Sequence, residues 1–309
     1  MPGAFAHLTI ANLATGSSNL DEASLSTDAK IAIAENIPFI ELGCVSPDYP
    51  YLAISVLEDN AQWADYMHLD NKTDLMIKKG IELTRGLNGL ERNKVFAWLC
   101  GFVSHIVADV VIHPVVELKV GPYHGNEKEH RVCEMHQDAY IYQRLGLGAI
   151  GLAEQLSSGI EKCSNPSDNE KIDPLIKSVW LEMLKQIRPD EFDTNNPNLD
   201  SWHKSFKQNV SIFEEGNKLH PLARHVAVNA GMTYPAEDSI DAQFIKNLQV
   251  PTGNMDYDEI ADIAIAKVTD AWKILGDAIY DNQDTQIAHF GGWNLDSGRN
   301  TDDELVYWA

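Results

Sequence analysis

Two ladders of histidines and acids lie close together in this chain. His105, Asp109 and His113 stand four apart in KVFAWLCGFVSHIVADVVIHPVV, and His130 and Glu134 stand four apart in NEKEHRVCEMHQDAY, with Asp138 four further on. On a helix, residues four apart sit one turn above each other on the same face, so each segment offers a row of metal-type donors. Imidazole and carboxylate suit zinc, which takes nitrogen and oxygen donors at roughly 2.0–2.2 Å in four-coordinate sites. From His105 to His113 a helix rises about 12 Å, too far for one ion. Several ions along the ladder fit better, with Asp109 placed to bridge two of them and His130 and Glu134 completing the site that His113 begins. Such a cluster activates water and clamps phosphate oxygens during in-line displacement, so the spacing points to a metallohydrolase acting on phosphate esters. The plainer alternative is a set of satisfied core residues or a solvated helix face. It explains one histidine well and five such residues poorly, because unpaired His and Asp in apolar sequence cost kilocalories.

The elements that must carry these residues read as helices. A short helix is expected over 3–14 with His7 near its start, and a second over about 21–36. ELGCVSPDYPYL reads as an irregular loop, since Pro47 and Pro50 lack amide protons and hold Asp48 and Tyr49 in a rigid turn. WADYMHLDNKT brings in His68, and TDLMIKKGIELTRGL is a helix closed by glycine. The long helix opens near 90–93 and is expected to stop at His113, because Pro114 biases the residue before it away from helical geometry. GPYHGNEKE is a loop carrying His124, followed by a helix over about 127–145. CSNPSDNEKIDP is a polar connection into the amphipathic PLIKSVWLEMLKQI, with further helices at 199–219, 221–231 and 257–283. The tail over 284–309 shows no sustained pattern, and no hairpin, repeat or low-complexity signal stands out. The expectation is a single all-α catalytic domain over 1–309, its metal site drawn mainly from 1–145.

At 309 residues the chain can bury a large core. Its 46 acidic against 24 basic residues give a net charge of −22, which disfavours a nucleic-acid groove or an anionic membrane surface as the main docking mode. Bound divalent ions would reverse the field locally, so phosphate chemistry stays open. Cys44, Cys100, Cys133 and Cys163 have no paired spacing and imply no disulfide framework. The start lacks a basic segment and a long apolar run, so no signal peptide is expected and the default location is cytoplasmic, with leaderless export as the alternative. Two histidines and an aspartate make the Lys94–Lys119 stretch costly in lipid. It reads as a buried core helix, and no transmembrane segment is expected.

The residues resemble those of the zinc-dependent phospholipase C family, whose pattern is His-x3-Asp, a further His, then His-x3-Glu. Here these are His105-x3-Asp109, His113 and His130-x3-Glu134. The even spacing and the later His124-Gly125 look closest to the branch that includes the N-terminal domain of glycosylphosphatidylinositol-specific phospholipase D. Upstream, His7 matches a near-N-terminal His, Pro47-Asp48-Tyr49 a Pro-Asp-Tyr turn, and His68 the His that follows it. The resemblance implies an all-helical fold shared with single-strand zinc nucleases, and two or three zinc ions. By resemblance, His68, His105, Asp48 and Asp109 hold one ion, His113, His130 and Glu134 a second, and His7 with Asp109 a third. Asp48 would be the general base. Two departures stand out. Secreted members ligate the third ion with a mature N-terminal Trp, where this chain reads Met1-Pro2-Gly3. The common signature also places Pro before the third ligand, where here Pro114 follows His113.

Tyr49 and His124 are further candidates for touching substrate, and Asp138 for supporting a ligating histidine from behind. His136 points away from the ladder and reads as surface. The expected function is a zinc-dependent phosphodiester hydrolase of phospholipase C type, metal-activated water attacking phosphorus, on a phospholipid or headgroup-like substrate. A single-strand nuclease or nucleotidase on the same cluster is the alternative, with Trp202, Trp272 and Trp293 as base platforms. A non-catalytic metal-stabilised binding protein is the third reading, although structural zinc sites are usually Cys-rich. An HD-type phosphohydrolase would need an adjacent His-Asp pair, and a di-iron protein two Glu-x-x-His repeats; the chain has neither.

Overall fold

The computed structural model describes residues 3–52, 62–147, 159–216 and 234–308. Its architecture is all-α. The first four helices are α1 (Ala4–Ala14), α2 (Ser17–Glu22), α3 (Thr27–Glu35) and α4 (Ile37–Val45). Next come α5 (Tyr49–Leu52), α6 (Gln62–His68), α7 (Thr73–Arg85), α8 (Gly89–Val120) and α9 (Glu127–Ile141). The later helices are α10 (Pro174–Ile187), α11 (Pro189–Thr194), α12 (Leu199–Gly216) and α13 (Tyr257–Tyr280). Two antiparallel hairpins, Ser164–Asn165 with Asp168–Ile172 and Leu248–Val250 with Gly253–Met255, are small additions.

The axis of the fold is α8. Every residue from Val95 to Val116 is buried, so this helix has no solvent face over six turns and must be wrapped by others. It is also long and apolar enough to cross a membrane, but its most apolar 18-residue window is wholly buried in the protein. Helix α4 crosses it at backbone contact distance. A Cβ added to Gly43 would lie 2.1 Å from the Trp98 carbonyl oxygen, and one on Gly101 would lie 2.1 Å from the Ile40 carbonyl oxygen. On the other side α13 packs through Trp272, whose indole N–H donates to the Cys100 carbonyl at 2.8 Å. One continuous apolar core runs from Phe5 in α1 to Trp308 near the end of the chain.

Several sequence expectations need correction. The span expected as one helix over 21–36 is two, α2 and α3, split at Ser24, whose φ is +59°. ELGCVSPDYPYL is helical rather than irregular: α4, a single 3₁₀ turn at Ser46–Asp48, then α5. Pro38 and Pro47 occupy opening positions of α4 and of that turn, where a missing N–H costs nothing because no intrahelical acceptor awaits it. The long helix passes through Pro114 and ends at Val120, not at His113. The polar connection at 164–172 forms a hairpin, paired Ser164 to Ile172 and Asn165 to Asp168. The expected helix at 221–231, with His220 and His225, lies outside the described residues.

Candidate metal centre

Four elements deliver the ligand-type side chains to one buried place. His7 comes from α1, Asp48 from the turn between α4 and α5, His68 from the end of α6, and His105, Asp109 and His113 from three successive turns of α8. The His105 and His68 Nε2 atoms are 3.1 Å apart. Asp48 Oδ1 lies 3.4 Å from His68 Nε2 and 3.8 Å from His105 Nε2. Asp109 divides its oxygens between two sides. Oδ2 lies 3.1 Å from His105 and 3.8 Å from His68, while Oδ1 lies 3.3 Å from His7 and 3.8 Å from His113. Two triads therefore have all donor atoms within 4.8 Å of one another: Asp48, His68 and His105; and His7, His105 and Asp109. From α9, His130 Nδ1 lies 3.8 Å from Glu134. That pair and His113 form a looser arm, outside the two tight triads.

What turns the imidazoles inward is their other nitrogen. Nδ1–H of His68 donates to the Ala64 carbonyl one helical turn back at 2.8 Å, and that of His105 to the Cys44 carbonyl across the α4–α8 crossing at 2.9 Å. His113 donates from Nδ1 to the Leu295 carbonyl. His130 is anchored the other way round, Nε2 donating to the Gly121 carbonyl at 2.7 Å, which leaves Nδ1 toward Glu134. A histidine held by a carbonyl at one nitrogen presents a lone pair at the other, the arrangement seen in metal ligands. In His68 and His105 those lone pairs face each other, and two acceptors that close require a cation or a proton between them.

The donor set fits a divalent metal on a second count. Both ring nitrogens of His7, Oδ1 of Asp48, both oxygens of Asp109, Nε2 of His113 and Nδ1 of His130 are buried without a hydrogen-bond partner. Leaving so many polar atoms unpaired costs several kcal/mol, and a cation reached from all sides relieves it. Electrostatics agree. Burial alone would raise the Asp109 carboxyl, yet His105, His113 and His7 hold it well below the usual carboxylate range. Burial opposes charge on His68 too, but its contacts with Asp48 lift it to about 9. His113 is pushed down to about 4, chiefly by burial. Nitrogen and carboxylate oxygen without sulfur is a zinc-type donor set, unlike the Cys-rich sets of structural zinc sites. The four cysteines are free and buried, and none joins the triads.

The turn that presents Asp48 is fixed from below. Trp98 donates to Ser46 Oγ at 3.1 Å, and Tyr49 stacks on Phe206 with its hydroxyl 3.3 Å from His203 Nδ1. Tyr49, expected against substrate, is thus fully buried and faces the core. Aromatics that do lie at the candidate ligands are Tyr51, two residues on, its ring 5.7 Å from His68, and Tyr123, 5.2 Å from His130. His124, the other substrate candidate, is fully exposed on its loop beside Glu127 at 3.9 Å. Asp138 was expected behind a ligating histidine. It instead accepts the N–H groups of Phe5 and Ala6 at 3.3 and 3.0 Å, and so caps α1 and sets His7 through the helix. Burial raises the Asp138 carboxyl to about 7, although those N–H groups oppose the rise. His136, expected at the surface, is buried and accepts from the Asp241 N–H at 3.0 Å. Trp202, Trp272 and Trp293, expected as base platforms for a single-strand nuclease, are all buried, so these three cannot serve as such. Sequence reasoning missed Leu295, whose main-chain N–H donates to the His68 carbonyl at 2.9 Å while its carbonyl holds His113. A main-chain contact of this kind has no signature in side-chain types.

Comparison with known proteins adds one match. A family model described as zinc dependent phospholipase C matches residues 6–189, a span that contains all eight ligand-type residues. No curated protein and no solved structure matches the chain.

Proposed function

Because the chain belongs to the zinc-dependent phospholipase C family, we propose that it is a zinc metallohydrolase that cleaves a phosphodiester bond in a phospholipid or a headgroup-like ester. One observation carries the reading: two buried imidazole nitrogens 3.1 Å apart, each backed by a carbonyl and flanked by Asp48 and Asp109. Zinc ions, when bound, supply Lewis acidity for phosphate oxygens and lower the pKa of nearby water. The protein's own residues do the rest. His68, His105, Asp48 and Asp109 are assigned to one ion, His113, His130 and Glu134 to a second, and His7 with Asp109 to a third. Asp48 is assigned to orient the attacking water and take its proton. Its place in the turn held by Trp98 and Tyr49 supports that role, because a base must stay within hydrogen-bond reach of the proton it removes.

The test is elemental analysis for zinc per chain, followed by turnover of a chromogenic choline phosphodiester before chelation, after it and after zinc is restored. The expected result is two or three ions per chain, loss of turnover on chelation and its return with zinc. Undiminished turnover in fully zinc-free protein overturns the proposal.

A further inference from the structure

The stretch from Gly291 to Trp308 contains no helix and no extended strand, yet it is closely tied to the metal centre. Its entry is pinned by Thr73, whose hydroxyl donates to the Gly291 carbonyl at 2.8 Å and accepts the Trp293 N–H at 3.0 Å. Leu295 follows, donating to the His68 carbonyl and accepting from the His113 imidazole. The chain then turns back on itself, with Asn294 N–H to the Arg299 carbonyl at 2.8 Å and Val306 N–H to the Gly298 carbonyl at 3.1 Å. Gly298, at φ +67°, rests on α8 beside Pro114. A Cβ there would lie 2.5 Å from Pro114 Cγ and 2.6 Å from the Val110 carbonyl oxygen. Trp308 closes the strap by donating its indole N–H to the Val111 carbonyl at 2.8 Å. The strap thus docks on α8 at Val110, Val111 and Pro114, within one turn of His113.

Asp296 comes directly after Leu295. It is half-buried, and its charge acts on His68, His113, Tyr51 and Tyr123 together. Its neighbour Leu295 is bonded at both His68 and His113, so Asp296 leaves the main chain beside the cluster. Two or three divalent ions against the carboxylates of Asp48, Asp109 and Glu134 leave a net positive charge in a buried place, which is costly. One more carboxylate offsets it.

We propose that the strap Gly291–Trp308 is part of the metal centre, with Leu295 fixing the His113 imidazole and the main chain at His68, and Asp296 supplying an outer carboxylate that tightens zinc binding. This rests on the zinc reading above. Leu295 and Asp296 are positioning residues, acting on the ions through the histidines and through charge. They lie beyond the stretch that matches the family, so they are features of this chain rather than of the matched segment.

The experiment measures zinc affinity in the full-length chain by competition with a chromogenic chelator, alongside far-UV circular dichroism and thermal unfolding of the zinc-free protein. Asp296→Asn removes the charge and keeps the shape, and Gly298→Val lifts the strap off Pro114. Both variants are expected to keep wild-type helical content and to hold zinc about tenfold more weakly, the scale on which outer partners act. A strap of purely structural value would lower the melting temperature of the zinc-free protein and leave the competition curve unchanged, which overturns the proposal. Should Gly298→Val fail to fold, Asp296→Asn decides alone, and wild-type affinity in it overturns the proposal. A wild-type chain that binds no zinc sinks the function proposed above and this inference with it. Normal zinc binding by both wild type and Asp296→Asn sinks only this one.

Discussion

Asp109 serves two sides of the cluster with its two oxygens, and that makes it the most informative residue to change. Asp109→Asn is expected to lose zinc from both triads, whereas His7→Ala should lose it from one. Zinc per chain by elemental analysis reads the difference, and equal losses would count against a bridging carboxylate. His203 gives a pH prediction away from the metal. Tyr49 and Ser164 hydroxyls bracket its two ring nitrogens at 3.3 and 3.0 Å, and burial lowers its pKa to about 4. The unfolded chain takes up that proton near pH 6.5, so His203 favours the fold above 6.5, and the contribution fades as pH falls toward 4. The full span amounts to about 3 kcal/mol. His203→Gln should flatten the stability curve between pH 6.5 and 4, read from urea midpoints at several pH values. At this scale much was legible. The paired ladders in α8 and α9 can be read from spacing, and Asp48 from its prolines. Tyr49 was misread because nearness to Asp48 in sequence says nothing about direction, and a residue beside a turn can face the core as easily as the site.

Helix packing, not ligand chemistry, sets where His105 points. Its anchor is the Cys44 carbonyl, brought within reach only because Gly43 and Gly101 let α4 and α8 meet backbone to backbone. Gly43→Ala or Gly101→Ala puts a methyl where a carbonyl oxygen already sits. Each should destabilise the protein by about 1–3 kcal/mol and weaken zinc binding as His105 loses its anchor; thermal melting and chelator competition check both effects. The Asp138 cap of α1 makes a second prediction at this scale. Asp138→Ala removes the side-chain acceptor of the Phe5 and Ala6 N–H groups, at a cost of about 1–2 kcal/mol by analogy with other lost caps. A denaturant midpoint unchanged from wild type would show that the cap is idle. The helices with clear apolar period, such as α10 and α13, were readable from sequence. The course of α8 past Pro114 was not. Local rules end a helix there, yet α8 runs on, packed at that point against Gly298 and Trp308.

Across the whole molecule, the excess of acidic residues has to coexist with an anionic reaction partner. A net charge of −22 repels anionic bilayers, and salt screens that repulsion beyond about 8–10 Å. Hydrolysis of phospholipid in anionic vesicles should therefore rise with ionic strength, while hydrolysis in zwitterionic vesicles should change little. Rates measured on both vesicle types across a salt series give the answer, and a fall with salt on the anionic ones would point to a hidden basic docking patch. The fold class could be read at this scale from helical periodicity alone, but the role of 291–308 could not, because irregular segments carry no period. Leu295 has a further consequence. All eight candidate donors leave the ribosome long before it does, so a growing chain carries the makings of the centre without its clasp. On the zinc reading, cation loading is expected only once residues 291–308 have wrapped back over α8.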